Sequence, residues 1–390
     1  MLRRIGLIAT AASVAALAIV AAAVARPATV AATSAVSCKK AVSVGILAPI
    51  TGPVASIGSD QLHWAQFYFT QWNKNKKHVQ IKLVQGDTQL DPSKASTVSQ
   101  SFASNGSILG VIGPAGSDEV QPASSILKKA GLAFASGSAT RVSLTDGSNR
   151  GFFFRDVPND SVQGPTTATY MTTKLGVKTG DTVMIVDDQE SYSTGLADIV
   201  GAALTNNAIK NIKVDRESIS QKATDFSSLV AKVNNNVKVV YLPFQLASQA
   251  QLFAQQLKAQ GKTAIVFGSD GTFDSSKFTV DGSYISFFAP DVTTIPADAA
   301  VVSAFKKQYP GATSPFGAPN YVLAQMYANA ITTSCKDGKI TRAELRKNFA
   351  KVSLTSTILG TPIRFTANGD LAGAKFHIFK IVNGKYETVQ

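Results

Sequence analysis

The sequence predicts an α/β protein built from two doubly wound lobes, each around a parallel sheet. Strand-like and helix-like runs alternate along the chain, which is the pattern of βαβ units. The strand-like runs are continuously apolar rather than alternating, as in strands covered by helices on both faces. About 355 residues follow the N-terminal apolar segment, more than one typical core contains, and this length favours two lobes.

The first series of alternating elements runs to residue 135. Leu62, Ala65, Phe69 and Trp72 recur at helical spacing and predict an amphipathic helix over 60–73. Short apolar runs predict the strands, and longer runs with helical spacing predict the helices. The predicted strands are 42–47, 79–84, 108–112 and 132–135, and the further helices are 94–103 and 119–128.

A second series begins after Pro158 and repeats the alternation, so it predicts the second lobe. Its predicted helices are 162–174, 195–206, 226–233 and 248–259. Its predicted strands are 182–186, 212–216, 237–242 and 264–267.

The C-terminal part mixes helices with a final hairpin. A strand is predicted over 284–288, followed by helices over 298–307, 321–332 and 342–350. Thr341 and Glu344 form a capping box at the start of the last helix. Asn383 and Gly384 separate two strand-like runs, 375–382 and 385–389, and Asn-Gly is the strongest short signal for a hairpin.

Residues 1–25 are typical of a secretory signal. Arg3 and Arg4 precede an Ala-rich apolar run, and the AVA at 23–25 is a small-residue cleavage site, with further candidates up to Ala35. A membrane anchor is the alternative, since the run is long enough to span a bilayer. Cys38 lies too far beyond the run, after an Ala at position 35, for a typical lipoprotein signal. We therefore expect an exported protein that is periplasmic or associated with the cell surface.

The charge of the chain is strongly basic but dispersed. The formal charge is +13, and removal of Arg3, Arg4 and Arg26 with the signal would leave +10. The densest basic run, KNKK at 74–77, ends a predicted helix, where cations complement the helix dipole. Basic strands interleaved with aromatic residues are absent from the sequence, so we expect no nucleic-acid partner. A solvated basic surface suits an anionic cell envelope or partner.

The sequence has two cysteines, Cys38 before the first predicted strand of the sheet and Cys335 after a predicted helix. Cysteines of exported proteins commonly pair. We therefore expect a disulfide that ties the N-terminal segment to the body of the protein, with two separate thiols as the alternative.

The residue types that carry chemistry in enzymes form no productive pattern. His63, His78 and His377 are isolated and lack the spacing of metal ligands. Ser125 and Lys128 match S-x-x-K, but they lie on the apolar-periodic body of a helix, where chance explains the match. Glycines occur at 110, 113 and 116, but without the G-x-G core of a dinucleotide loop. We predict no catalytic residue, no metal and no cofactor.

Two polar loops follow predicted strands, 113–117 (GPAGS) and 136–140 (SGSAT). Ligands of open α/β sheets bind outside the carboxyl ends of the strands. Ser117 precedes Asp118 and Glu119 and is interpreted as a helix N-cap. Its hydroxyl and the nearby N–H groups suit a carboxylate at a helix N-terminus, with purely structural capping as the alternative. Thr140 is placed to do the same from the next loop.

An ammonium group would need an acid on the opposite side. Asp270, in the segment GSDG at 268–271, follows a strand of the second series and is well placed for this. An ordinary turn aspartate is the alternative interpretation.

Together these features resemble the periplasmic leucine/isoleucine/valine-binding protein family, the amino-acid receptors of ABC importers. The resemblance covers essentially the whole mature chain. It depends on TGPV at 51–54 with Ile57 and Gly58, IG at 112–113 followed by QPA at 121–123, SAT at 138–140, Phe154 and Arg155 with Asp160 and QG at 163–164, and Tyr192 with Gly195.

The resemblance implies a type I periplasmic-binding fold, in which three crossovers join the lobes and the ligand binds in the cleft between them. The first lobe should comprise 41–157 and 286–358, and the second 158–285 and 359–390. The crossovers near Val157, Ile285 and Thr357 should act as hinges.

The resemblance also implies roles for residues at the two charged ends of an amino acid. Ser117 and Thr140 would hold the α-carboxylate, and the Ser138 carbonyl, next to Ala139, would accept a hydrogen bond from the ammonium. Asp270 falls where the family places an acid for that ammonium.

Four further positions would line the rest of the ligand site. Tyr192 falls where an aromatic residue covers the ligand from the second lobe, and Phe316 aligns with a residue of the side-chain pocket. Ile57 and Gln245 depart from the family, since aromatic residues are common at both positions. Gln245 would hydrogen-bond a polar ligand side chain or leave more room, so the branched aliphatic specificity is open.

We therefore expect a monomeric, non-catalytic receptor that captures a small amino acid, of branched-chain type or related, for an ABC permease. A receptor of the same fold for amides, urea-like compounds or aromatic carboxylates is the alternative, and Asp270 would then be dispensable. An α/β enzyme would need a nucleophile–base pair or a phosphate signature. A sensor ectodomain would need a C-terminal membrane span, which the sequence to Gln390 does not contain.

Overall fold

The computed structural model describes residues 35–206, 211–311, 314–373 and 375–390. The predicted signal segment lies outside these ranges. Within them, every helix is too short or too polar to cross a bilayer.

Strands and helices alternate through most of the described chain. The strands are β1 (Val36–Ser37), β2 (Val42–Ala48), β3 (Ile81–Asp87), β4 (Ile108–Ile112), β5 (Ala133–Ser136), β6 (Phe153–Arg155), β7 (Thr182–Asp187), β8 (Lys213–Ser218), β9 (Val237–Leu242), β10 (Ile265–Gly268), β11 (Tyr284–Phe287), β12 (Lys339–Ile340), β13 (Ser353–Leu354), β14 (Ile363–Arg364), β15 (His377–Val382) and β16 (Lys385–Thr388). The α-helices are α1 (Ala55–Trp72), α2 (Pro92–Ser104), α3 (Ser117–Lys129), α4 (Asp160–Thr173), α5 (Ser191–Thr205), α6 (Ser227–Lys232), α7 (Ala247–Ala259), α8 (Ala299–Gln308), α9 (Gly317–Ser334) and α10 (Arg342–Phe349).

The first sheet has five parallel strands in the order β3-β2-β4-β5-β6. The chain passes from β2 to β3 on one side and then returns to place β4 on the other side of β2. The strand order therefore reverses between β2 and β4. Such a reversal opens a crevice at the carboxyl ends of the two strands, where ligands of doubly wound sheets bind.

The second sheet repeats this arrangement and extends it. Its parallel strands have the order β8-β7-β9-β10-β11, so the reversal lies between β7 and β9. The hairpin of β15 and β16 adds two antiparallel strands beyond β11. Asn383 and Gly384 form its turn with φ of 51° and 70°, the conformation that an Asn-Gly hairpin requires. The predicted α/β class with parallel sheets is confirmed.

The central strands carry the core. All residues of β2, β4 and β7 are buried, as the continuous apolar runs predict for strands covered on both faces. The edge strand β8 differs, because its residues are exposed or half-buried along its length. A strand at the edge of a sheet has one open side, and its sequence, KVDRES, is accordingly polar.

A disulfide joins Cys38 to Cys335. Beside it, β1 pairs antiparallel with β12, and the Cys38 N–H donates to the Gly338 carbonyl at 3.0 Å. Neither short strand is predicted from the sequence, since two residues carry no periodicity. The N-terminal segment is thus fixed to the turn that follows α9.

Candidate functional site

A cavity lies where the carboxyl ends of the two sheets face each other, with about 420 Å³ of unfilled space including its mouth. Seven of the nine predicted ligand-binding residues lie on its wall. The complete wall consists of Pro49, Val54, Ile57, Leu90, Ala115, Gly116, Ser117, Ser138, Tyr192, Gln245, Asp270, Gly271 and Phe316.

The reversal points of the two sheets place these residues. Pro49 follows β2 and Ser117 follows β4, so both lie at the reversal of the first sheet. Tyr192 follows β7 and Gln245 follows β9, so both lie at the reversal of the second sheet. Asp270 comes directly after β10, one strand further along. The fold therefore brings together residues as far apart in sequence as Pro49 and Asp270, which are 221 positions from each other.

The start of α3 forms the end of the cavity nearest the first sheet. Gly116, not Ser117, is the N-cap, and the Glu119 carboxylate accepts a hydrogen bond from the Gly116 N–H at 2.8 Å. The predicted N-cap role of Ser117 is therefore wrong. Ser117 is the first helical residue, and its hydroxyl accepts from the Arg141 N–H at 3.2 Å instead. Gly116 has the extended backbone of an N-cap, with φ of −90° and ψ of 145°.

The N–H groups of Ser117 and Asp118 donate to no residue in the described part of the chain. The first N–H groups of a helix have no partner within the helix, and the helix dipole makes this end positive. These donors are suited to an anion at the cavity wall, since Gly116 and Ser117 both line it.

The loop 136–140 is fixed against the loop 113–117. The Ser136 hydroxyl donates to the Pro114 carbonyl at 2.6 Å, and the Ser138 hydroxyl donates to the Ala115 carbonyl at 2.8 Å. Ser138 also accepts from the Gln61 amide at 2.8 Å. The hydroxyl of Ser138 is therefore already bonded within the protein, which leaves its carbonyl as the group available to a ligand.

Ala139 and Thr140 are not among the residues that line the cavity. The Ala139 N–H donates to the Ser136 hydroxyl at 2.9 Å. Thr140 is fully buried, and its hydroxyl faces the Asp160 carboxyl, whose pKa it helps to lower, without a hydrogen bond of standard geometry. Contact of Ala139 and Thr140 with a ligand stays a prediction.

A buried arginine, Arg155, holds the backbone of the loop 136–140 in place. The Arg155 guanidinium is fully buried, donates to the carbonyls of Ala139 at 3.0 Å and Arg141 at 2.8 Å, and pairs with Asp370 at 2.7 Å. A planar guanidinium satisfies several acceptors in fixed directions, so it sets the path of the backbone beside the cavity. The sequence places Arg155 in a family motif, but its anchoring role becomes visible only in the structure.

Asp270 forms the opposite end of the cavity. Its Oδ1 accepts from the Tyr192 hydroxyl and from the Gln163 amide, both at 2.6 Å. Its Oδ2 accepts from no described residue, while Asp270 itself lines the cavity. Burial raises the pKa of Asp270 to about 6, and the bonds from Tyr192 and Gln163 counteract part of this rise. A buried carboxylate without a paired cation favours a positively charged partner.

A second buried acid lies beside Asp270. Burial and the nearby charge of Asp270 raise the pKa of Asp160 to about 7, and both of its carboxylate oxygens are buried without a standard hydrogen bond. Asp160 is therefore neutral below about pH 7, and it adds negative charge beside Asp270 only above that pH.

Apolar side chains form the remaining wall. Val54, Ile57, Leu90 and Phe316 are its largest members, and no Lys, Arg or His lines the cavity among the described residues. The Phe316 ring packs on Phe287, with ring centroids 5.0 Å apart, so its position is fixed from behind. This wall suits an uncharged, apolar ligand group.

Gln245 uses its amide within the protein. Its Nε2 donates to Asp118 Oδ2 at 2.7 Å, and its backbone N–H donates to Asp188 Oδ2 at 2.9 Å. The side-chain amide of Gln245, which is predicted to bind a polar ligand group, therefore donates to Asp118 instead. Burial raises the pKa of Asp118, and the donors Tyr192 and Gln245 lower it. Sequence reasoning missed Asp118, because an acid in a first helical turn is usually explained by the helix dipole.

The three histidines lie away from the cavity. His63 stacks on Tyr309 and His78 on Trp72, with ring centroids 4.3 Å and 3.9 Å apart. His377 belongs to β15. Among the described residues, no three His, Cys, Asp or Glu side chains converge in a way that could hold a metal ion.

A family of proteins described as periplasmic binding proteins matches residues 41–385. Among curated proteins, the leucine-specific-binding protein of Salmonella typhimurium is 28% identical over 348 residues, which cover 87% of this chain and 90% of that protein. A leucine-, isoleucine-, valine-, threonine- and alanine-binding protein of Pseudomonas aeruginosa is 24% identical, with 87% of this chain and 89% of that protein covered.

Two solved structures illustrate the range of ligands held by similar folds. A branched-chain amino acid transporter substrate-binding protein of Streptococcus pneumoniae, in complex with isoleucine, has a TM-score of 0.78 at 23% identity and covers 90% of this chain and 99% of its own. A solute-binding protein of an R. palustris ABC transporter, in complex with benzoate, has a TM-score of 0.78 at 19% identity and covers 90% of this chain and 95% of its own.

Proposed function

We propose that this chain, which belongs to the periplasmic binding protein family, is the receptor of an ABC importer for a small amino acid with an apolar side chain. The observation that supports this most directly is the pairing of two opposite ends in one cavity. Free N–H groups at the start of α3 face it from one sheet, and the Asp270 carboxylate faces it from the other. Apolar side chains form the wall of the same cavity.

The ligand's two charges are met by different groups under this proposal. Its α-carboxylate binds the N–H groups at Ser117 and Asp118, and its ammonium binds Asp270 Oδ2 and the Ser138 carbonyl. Both charges lose their hydrating water when the cleft encloses the ligand, so each needs a fixed partner to offset the cost of desolvation. The side chain then lies against Ile57, Val54 and Phe316.

We propose that the two sheets form the two lobes and that three crossovers act as hinges. The first crossover lies near Val157, between β6 and α4. All of β11 pairs within the second sheet, which favours a second crossover just after Phe287. Phe365 contacts Phe154, and Asp370 pairs with Arg155, which favours a third crossover between Asp370 and His377. The second crossover proposed here thus lies just after the position expected near 285, and the third lies 13 to 20 residues after the position expected near 357.

Closure of the cleft is what a permease would recognise. Groups from the two sheets bind opposite ends of one ligand, so the ligand stabilises the closed form more than the open form. The proposal includes export of the chain, a location in the periplasm or at the cell surface, a monomeric state and docking to the membrane subunits of an importer. No catalytic step is part of it.

The proposal is tested by thermal shift of the purified protein against the proteinogenic amino acids, since a ligand that binds only the folded state raises the melting temperature. We expect stabilisation by one or a few apolar amino acids such as L-leucine. Two analogues lack one charge each: 4-methylpentanoate lacks the ammonium and 3-methylbutylamine lacks the carboxylate. Each should bind at least about tenfold more weakly than L-leucine, because one charged contact is lost.

Two results of the same thermal-shift panel would contradict the proposal. Stabilisation by amides, urea or benzoate, without any by amino acids, would favour the alternative receptor class, for which a benzoate-bound relative of the same fold is a precedent. Equal affinity for L-leucine and 4-methylpentanoate would show that Asp270 does not bind an ammonium.

A further inference from the structure

Asp118 connects the two sides of the cleft. It belongs to α3, which follows the first sheet, but its partners belong to elements that follow the second sheet. Its Oδ1 accepts from the Tyr192 N–H at 3.1 Å, and its Oδ2 accepts from the Gln245 amide at 2.7 Å. Asp118 is 6% exposed and Gln245 is 7% exposed, so both bonds are shielded from water.

These bonds continue into both ends of the proposed ligand site. Asp118 is the neighbour of Ser117 at the anion end. Tyr192, held by its backbone N–H to Asp118, donates its hydroxyl to Asp270 at the cation end. Tyr192 and Gln245 also line the cavity themselves. One carboxylate therefore fixes two wall residues that come from the opposite sheet.

The charge of Asp118 is compensated by the donors of Tyr192 and Gln245, by the backbone N–H of Ser191 and by the more distant charge of Arg141. Among the described residues, no Lys, Arg or His forms an ion pair with it. A buried carboxylate needs hydrogen-bond donors, and removal of one leaves the charge poorly compensated. In an open cleft the donors of Tyr192 and Gln245 would be distant and water would replace them.

We propose that Asp118 is a positioning residue, which holds Tyr192 and Gln245 against the ligand and thereby couples the shape of the cavity to closure of the cleft. The inference rests on the proposed function, because it assigns a role within the same binding site. Gln245 stands where the resembling family commonly has an aromatic residue, so the pair belongs to this chain's own version of the site.

The test reverses the hydrogen bond between the two residues. Gln245→Glu places two carboxylates in contact, and we expect the dissociation constant of L-leucine to rise about a hundredfold at neutral pH. The double variant Asp118→Asn with Gln245→Glu restores one donor and one acceptor in the opposite order. It should recover affinity to within about fivefold of the wild type, as a double-mutant cycle with strong coupling.

Ser56→Ala is the matched control. The Ser56 hydroxyl donates to Asp274 Oδ2 at 3.0 Å, also across the cleft, but neither residue lines the cavity. We expect its affinity for L-leucine to stay within about threefold of the wild type, since one partly exposed hydrogen bond is lost. A loss as large as that of Gln245→Glu would show that any contact across the cleft has the same effect, and would overturn a specific role for Asp118.

Two further outcomes would overturn the inference. Additive losses in the double variant, with no recovery, would show that Asp118 and Gln245 act independently. If wild-type protein fails to bind any amino acid, the proposed function fails, and small-angle scattering of the ligand-free proteins decides the role of Asp118 separately. We expect Gln245→Glu to have a larger radius of gyration than wild type and the double variant, and equal radii would contradict the inference.

Discussion

The two ends of the cavity provide for charge in different ways. At the first sheet the groups are neutral: backbone N–H groups at the start of α3 and the Ser117 hydroxyl. At the second sheet the group is a buried carboxylate, Asp270, with a second acid, Asp160, beside it. One end therefore uses dipoles, while the other uses full charges.

The fold explains this difference. In both sheets the reversal points lead into the N-termini of helices, α3 in the first sheet and α5 in the second. Helix N-termini offer donors and a positive dipole end, which stabilise an anion but repel a cation. An ammonium at such a place therefore needs a side-chain carboxylate. The cation end must therefore be supplied by specific residues, whereas the anion end follows from the architecture.

Asp270→Ala should have the largest effect on binding. It removes the charge opposite the ammonium and leaves the Tyr192 hydroxyl and the Gln163 amide without their acceptor. We expect the dissociation constant of L-leucine, measured by calorimetry, to rise about a hundredfold or more. Asp198→Ala, at an exposed acid on α5, is the matched control and should stay within about twofold. Unchanged affinity in Asp270→Ala would place the ammonium elsewhere.

Asp270→Asn should stabilise the ligand-free protein. Burial raises the pKa of Asp270 from 3.8 to about 6, so ionisation of the carboxyl destabilises the folded state progressively as the pH rises from about 3.8 to about 6, and fully above that. Below the unfolded-state pKa the carboxyl is protonated in both states and the penalty is absent. The amide keeps an acceptor for Tyr192 and Gln163 without the charge.

We expect the free energy of unfolding of Asp270→Asn, from denaturant titration, to exceed that of wild type by about 3 kcal/mol near pH 8. The gain should shrink toward zero near pH 4. A variant that is less stable than wild type at both pH values would show that the carboxylate supports the fold rather than the ligand.

Binding should weaken in acid. A protonated Asp270 must lose its proton before it can pair with an ammonium, and its pKa is about 6. We expect the dissociation constant of L-leucine at pH 5 to be about tenfold that at pH 7.5. Asp160, with a pKa raised to about 7, changes charge in the same direction, and Asp160→Asn separates its share. Constant affinity between these pH values would contradict a carboxylate at the cation end.

Ser117→Ala should have the smallest effect. The substitution removes a hydroxyl that already accepts from the Arg141 N–H, but it leaves the backbone N–H groups of α3 in place. We expect affinity for L-leucine to fall about three- to fivefold in the same calorimetric titration. A loss as large as that of Asp270→Ala would mean that the hydroxyl, not the helix N-terminus, holds the carboxylate.

Much of the architecture follows from local sequence patterns. The apolar runs predict both bounds of β4 and β9, and Thr341 with Glu344 predicts the start of α10 at Arg342, where the capping box is present. Such features depend on neighbours along the chain. The N-cap of α3 depends on contacts with another loop, and there the sequence pattern misplaces the cap by one residue.

The candidate site also combines features that local sequence predicts with features that depend on distant contacts. Ser117, Tyr192, Gln245 and Asp270 follow strand ends, so the strand–helix alternation brings them to one side of their sheets. The bonds from Asp118 to Gln245 and from Gln163 to Asp270 could not be predicted, because they depend on how two separate sheets face each other. Local patterns contain no information on that placement.

The disulfide between Cys38 and Cys335 can form only late in the synthesis of this protein. The two cysteines are 297 residues apart, so the first is synthesised long before the second exists. These are the only cysteines in the sequence, and Cys38 therefore has no wrong partner within its own chain during that interval. The disulfide can form only after the parallel strands of both sheets have been synthesised. A bonded Cys38 therefore indicates that synthesis has passed residue 335.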